Sequence, residues 1–112
     1  MALVDSGADE TLLPRSIGEA IGVRIDDSTQ SQVAGIGGQL VDVWYGQADM
    51  ELTAGRKSYR WSAVVAFTAM EPEDTSAILG HAGCINFFRV RFDVERRAVH
   101  LQPNGKFMGN VI

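Results

Sequence analysis

The stretch Ala2-Leu3-Val4-Asp5-Ser6-Gly7-Ala8 decides how the rest of the chain is read. Its three apolar residues predict a short buried strand, and Asp-Ser-Gly predicts the tight turn that ends it. Such a turn presents Asp5 at the strand's end. A carboxylate beside a buried run is costly unless it is hydrogen-bonded, paired or used in chemistry. Taken alone, the triplet is most simply a solvated turn, so its meaning has to come from features further along.

Length and composition narrow the possibilities. The 112 residues suit a single domain spanning 1–112 with a modest core, and a hydrophobic fraction of 46% with 21% charged residues is ordinary for a globular chain. The net charge is −4 and no basic patch with interleaved aromatics occurs, which disfavours nucleic acid as a partner. Cys84 is the only cysteine, so an internal disulfide and a cysteine metal cluster are excluded. No apolar run approaches the ~20 residues of a membrane span, and no basic-then-apolar leader precedes Leu3. A cytoplasmic protein with no membrane partner is the expectation.

Periodicity predicts mostly strands. Thr11 to Leu13 reads as a second short strand and Pro14 as a first helical position, with Leu13, Ile17 and Ile21 at helical spacing and Gly22 as the stop. Gly18 weakens that helix, so a short one is expected. Val23 and Ile25 suit a half-buried strand, and Asp26-Asp27-Ser28-Thr29 a polar turn. Gln30 to Ala34 is extended, and Gly35-Ile36-Gly37-Gly38 then forms a hairpin tip before Leu40, Val41 and Val43 to Tyr45. A phosphate cradle would open a helix after such glycines and carry a Lys-Ser/Thr pair; neither follows.

Ala48, Met50 and Leu52 alternate with polar residues, and Tyr59, Trp61, Ala63 and Val65 answer them beyond a turn at Ala54 to Lys57. An acidic loop at Met70 to Asp74 leads to a second apolar run, Ala77-Ile78-Leu79-Gly80. Ala82 to Phe88 reads as a short helix. Val90, Phe92 and Ala98 to Leu101 read as strands, and Phe107 to Ile112 as a last one. The chain is therefore mainly β, a barrel or folded sheet with one or two short helices.

Three features stand in a telling order: Asp5-Ser6-Gly7-Ala8, then Gly35-Ile36-Gly37-Gly38, then Ala77-Ile78-Leu79-Gly80. Together they resemble the retropepsin-like aspartic proteases. Gly80-His81-Ala82-Gly83-Cys84, followed by Phe88-Arg89-Val90-Arg91-Phe92-Asp93, is similar to the bacterial branch of that family. The resemblance runs from Ala2 to about Leu101 and implies a closed β-barrel single lobe. It implies an aspartic endopeptidase acting on peptide or protein substrates, with no cofactor and no metal. Asp5 would be the catalytic aspartate, and Ser6 and Gly7 would complete its loop. Ala8, Asp9 and Ile78 would contact substrate, and Gly35, Ile36, Gly37 and Gly38 would form a flap tip whose backbone grips the peptide. Ile78-Leu79-Gly80 would cross beneath the Asp5 loop.

The family's chemistry needs two carboxylates close enough to share one proton, one acting as base while the other acts as acid. This chain holds a single Asp-Ser-Gly element. The resemblance therefore implies an obligatory homodimer, with Asp5 of each chain meeting at a two-fold axis. Two departures accompany it. Retroviral members have an arginine after the second apolar run, pairing with an acid like Asp9, where this chain has His81; an Asp9–His81 contact is left open, and would be sensitive to pH. Relatives also carry roughly one hairpin before the catalytic strand, and that hairpin is missing here.

His81 and Cys84 could meet as base and thiol on one helical turn, but nothing supplies an orienting group, and a buried inert cysteine is simpler. Two distant histidines give no metal signature. Trp44 and Trp61 suit core or interface. The alternative function is a catalytically inactive module of the same fold that binds peptides or dimerises.

Overall fold

Alternation of small, aliphatic and aromatic side chains builds the largest element. The strands β4 (Leu40–Ala54) and β5 (Lys57–Thr68) form a long antiparallel hairpin. Cross-strand partners Ala48↔Ala63, Met50↔Trp61 and Leu52↔Tyr59 put the period-two apolar residues on one face, as the sequence predicts. The computed structural model describes residues 2–34, 38–69 and 77–112. Gly35, Ile36 and Gly37 of the expected hairpin tip, and the acidic stretch 70–74, lie outside the described residues.

The remaining elements are β1 (Ala2–Val4), β2 (Leu12–Pro14), α1 (Arg15–Ala20), β3 (Ile25–Ala34), β6 (Ala77–Leu79), β7 (Phe88–Asp93), β8 (Ala98–Pro103) and β9 (Asn110–Val111). Among the described residues the main sheet runs β1-β6-β2-β5-β4-β3, with β9 joined to β5, and β7 and β8 form a separate ribbon. The sheet curls into a half-barrel: the chain is mainly β, as its pattern predicts, and consistent with the single lobe that the resemblance implies. Among the described residues, no helix is long and apolar enough to cross a membrane.

The core lies on the inner face of β5. Val65, Ala66, Phe67 and Thr68 are all buried, because this end of β5 has β2 on one edge and β4 on the other. Tyr59 and Trp61 pack edge-on against Phe88 at centroid distances of 5.7 and 5.2 Å, and Phe107 closes the same cluster. The Trp61 indole N–H donates to the Gly83 carbonyl at 2.7 Å, so the largest core side chain leaves no polar atom unpaired.

Several local expectations are corrected. β1 is the first strand of the sheet and, among the described residues, pairs only with β6, so Leu3 is 47% exposed and Val4 half-buried; the apolar run is not a buried strand. Asp26 to Thr29 is not a turn but an irregular part of β3. Asp26 accepts from the Ser28 amide and hydroxyl at 3.0 and 2.6 Å, making turn-like bonds, while Thr29 Oγ1 accepts the Tyr45 amide at 2.8 Å and keeps the ladder joined. Ala82 to Phe88 yields only a 3-10 turn, Ile85–Phe87. Pro14 ends β2 instead of opening the helix. Helix α1 turns Gly18 inward, not its isoleucines: a Cβ there would lie 2.5 Å from the Phe67 ring, while Ile17 and Ile21 are exposed. The glycine that weakens the helix lets it sit against the core.

Candidate active site

The Asp5 loop is built by a strand crossing. β6 runs between β1 and β2, parallel to the first and antiparallel to the second, so Ile78 pairs with Leu3 on one side and Leu12 on the other. The Asp5 amide donates to the Leu79 carbonyl at 3.0 Å, one residue beyond the last β1–β6 pair. The loop 5–10 then passes over residues 80–82. His81 and Ala82 amides donate to the Ala8 and Asp9 carbonyls, both at 2.9 Å, and Glu10 bridges Ala82.

Two small residues make this crossing possible. A Cβ on Gly80 would run into the Glu10 carbonyl oxygen and sit 2.8 Å from that of Ala8, so only glycine fits beneath the loop. Thr11, at 0% exposure, accepts the Gly80 amide on its Oγ1 at 3.2 Å, and its carbonyl accepts the Ala66 amide at 3.0 Å. It ties the loop's exit to both β5 and β6.

Within the loop, Asp5 is half-buried, and its Oδ1 accepts the Gly7 amide at 2.9 Å. Ser6 and Gly7 are exposed. The His81 ring is half-buried, and its Nε2 is 2.7 Å from the Ser6 carbonyl oxygen. A carbonyl only accepts, so Nε2 carries the proton. An Asp9–His81 contact, left open by the sequence, does not form among the described residues: Asp9 is exposed, and the histidine braces the loop's backbone instead.

Beside the loop lies an open cleft of about 510 Å³. Gly7 to Glu10 and Leu12 make one wall, and Ser31 to Ala34 with Tyr45 make the other. Of the residues expected to touch substrate, Ala8 and Asp9 line it; Ile78 lies in the sheet beneath the loop, and Gly38 is exposed just before β4. Gly35, Ile36 and Gly37 lie outside the described residues. A second hollow of about 610 Å³, walled by residues including Arg24 to Asp27 and Val64, holds no residue of the Asp5 loop.

Residues that the sequence pattern did not single out complete the cleft. The Tyr45 hydroxyl donates to the Glu10 carboxylate, 2.7 Å from one oxygen and 2.9 Å from the other. Burial first, then this hydrogen bond and the carboxylate's charge, push the Tyr45 phenol up to about 12. Cys84 is 1% exposed, and burial pushes its thiol up to about 11. It is a packed core residue and a poor nucleophile. No group of three or more metal-ligating side chains gathers among the described residues.

The sequence profile of a family described as aspartyl protease matches residues 1–81, which covers the Asp5 loop, the β3–β4 hairpin and β6. The chain belongs to this retropepsin-like aspartyl protease family. Comparison with curated proteins and with solved structures returned no match in either case. Membership makes a peptidase the general class of activity and a peptide the general class of substrate for this aspartyl protease.

Proposed function

We propose that this chain is an aspartic endopeptidase that works as a homodimer, with Asp5 of each copy forming the dyad. The observation that carries the reading is the position of Asp5: half-buried, at the end of a strand crossing, with its carboxylate held by the Gly7 amide beside an open cleft. Asp5 itself is not part of the cleft wall, which begins two residues on at Gly7, the residue whose amide orients its carboxylate; an oriented carboxylate next to a cleft suits general acid–base work.

In the dyad, two close carboxylates cannot both ionise, so they share one proton. The ionised member takes a proton from a water held between them as that water attacks the scissile carbonyl carbon. The protonated member donates to the carbonyl oxygen, and a tetrahedral diol forms. Collapse of the diol breaks the C–N bond as a proton passes to the amine. No covalent enzyme intermediate is involved. Ser6 is exposed on the loop, where it can hydrogen-bond to the second copy. β3 walls the cleft through Ser31 to Ala34 and β4 through Tyr45, and the arms of this hairpin act as the flap that covers bound peptide.

The test is cleavage of a mixed peptide library by the wild-type chain and by Asp5→Asn, a near-isosteric change. Wild type is expected to cleave, with the variant at background. Cleavage by both at equal rates would sink the proposal.

A further inference from the structure

We propose that Glu10 is the specificity-determining carboxylate of the cleft, and that it selects peptides carrying a lysine or arginine side chain. The inference rests on the peptidase reading and names the substrate class that its cleft takes. It begins with charge. Asp9 and Glu10 line the cleft, and no Lys or Arg is among its walls. The ion pairs among the described residues join Arg15 to Glu19 and Asp27, Arg60 to Glu51, and Arg96 to Asp93; none reaches Glu10. The residues outside the described set, Met1, 35–37 and 70–76, contribute no Lys or Arg side chain either. Among the described residues, this half-buried carboxylate thus has no cation of its own.

What Glu10 does have is a neutral donor on a rigid strand. Tyr45 sits in the middle of β4, paired with Ala66 on one side and with Asp26 on the other, and its amide is fixed by Thr29. Its hydroxyl reaches both oxygens of Glu10. A phenol supplies one proton, so it orients the carboxylate without neutralising it. The remaining lone pairs keep the full charge available to a ligand. A substrate ammonium or guanidinium supplies the missing charge and a charge-assisted hydrogen bond, which a neutral or acidic side chain cannot. Asp9 carries the same charge, but it is exposed and no such donor holds it among the described residues, so its pull is weaker and less directional.

The experiment uses sets of short fluorescent peptides identical except at one scanned position, which holds lysine, arginine, norleucine or glutamate. Cleavage is measured with wild type, Glu10→Gln, Asp9→Asn and Tyr45→Phe, and binding by anisotropy in an Asp5→Asn background that does not turn over. Lysine or arginine should be preferred over norleucine by about tenfold or more at one position, and Glu10→Gln should erase that ratio. Tyr45→Phe keeps the charge but releases its orientation, so the preference should weaken severalfold without vanishing. Three results would overturn the proposal: no basic preference in wild type, an equal preference in Glu10→Gln, or a preference erased by Asp9→Asn instead. The two readings fail separately. Glu10-dependent binding of basic peptides without cleavage retains the specificity assignment and removes the peptidase. Cleavage without Glu10-dependent selectivity does the reverse.

Discussion

At the scale of single residues, the link between Tyr45 and Glu10 has a signature independent of any substrate. An ordinary tyrosine ionises near 10, whereas burial, the bond to Glu10 and the carboxylate's charge push Tyr45 up to about 12. The neutral phenol is therefore favoured by folding. The stability it contributes is fully present below pH 10 and is lost as the pH rises through about 12. In a Tyr59→Phe background the chain keeps one phenol, and its absorbance titration should run late in the folded protein. Adding Glu10→Gln removes the carboxylate's charge, and the transition should move to lower pH; an unchanged titration would break the assigned contact. Cys84 offers a second check. With its thiol buried and pushed up to about 11, it should resist alkylation at neutral pH until denaturant is added. The turn that presents Asp5 was legible in the sequence because strand, turn and motif lie within seven consecutive residues. The Glu10–Tyr45 pair was not, since its members are 35 positions apart and meet only after β4 is laid beside the loop. No spacing rule connects them.

At the scale of elements, the strand crossing under Asp5 concentrates its demands on Gly80 and Thr11. Thr11→Val preserves shape but leaves the buried Gly80 amide without its acceptor, at an expected cost of about 1–3 kcal/mol in urea unfolding. Thr11→Ser keeps the oxygen and should recover most of that loss apart from the missing methyl. Equal stabilities for the valine and wild-type chains would show that the hydroxyl does not tie β6 to the loop. Gly80→Ala should be worse than either, because the obstacle to its Cβ is backbone that cannot step aside. The sequence showed Gly80 closing the second apolar run but not its reason, which lies in the loop that crosses it. The β4–β5 hairpin was readable because period-two alternation is a local signal. β1 misled because apolarity says that a strand wants cover, not whether its own chain supplies any. Asp26 to Thr29 misled differently: its side chains make the local bonds of a turn while the backbone stays in a ladder.

At the scale of the whole molecule, one chain brings one Asp5, and the proposed chemistry asks for two. β1 is the first strand of the sheet, pairs with β6 alone among the described residues, and carries an exposed Leu3 next to the Asp5 loop. An edge of that kind is open to a second copy. β9 pairs with β5 of its own chain, and just beyond it Ile112 exchanges amide and carbonyl bonds with Ser58 at 2.8 and 3.1 Å. Subunit mixing turns this into a measurement. If each active centre takes one carboxylate from each copy, Asp5→Asn chains poison wild-type chains by forming mixed dimers. At equal amounts and free exchange, statistical pairing leaves activity per wild-type chain at about half, and excess variant drives it towards zero. Activity per chain should also climb with protein concentration as dimers form. A protease complete within a single chain would ignore the added variant and show constant specific activity on dilution. That outcome would remove the shared dyad while leaving the cleft, and the Glu10 test within it, standing.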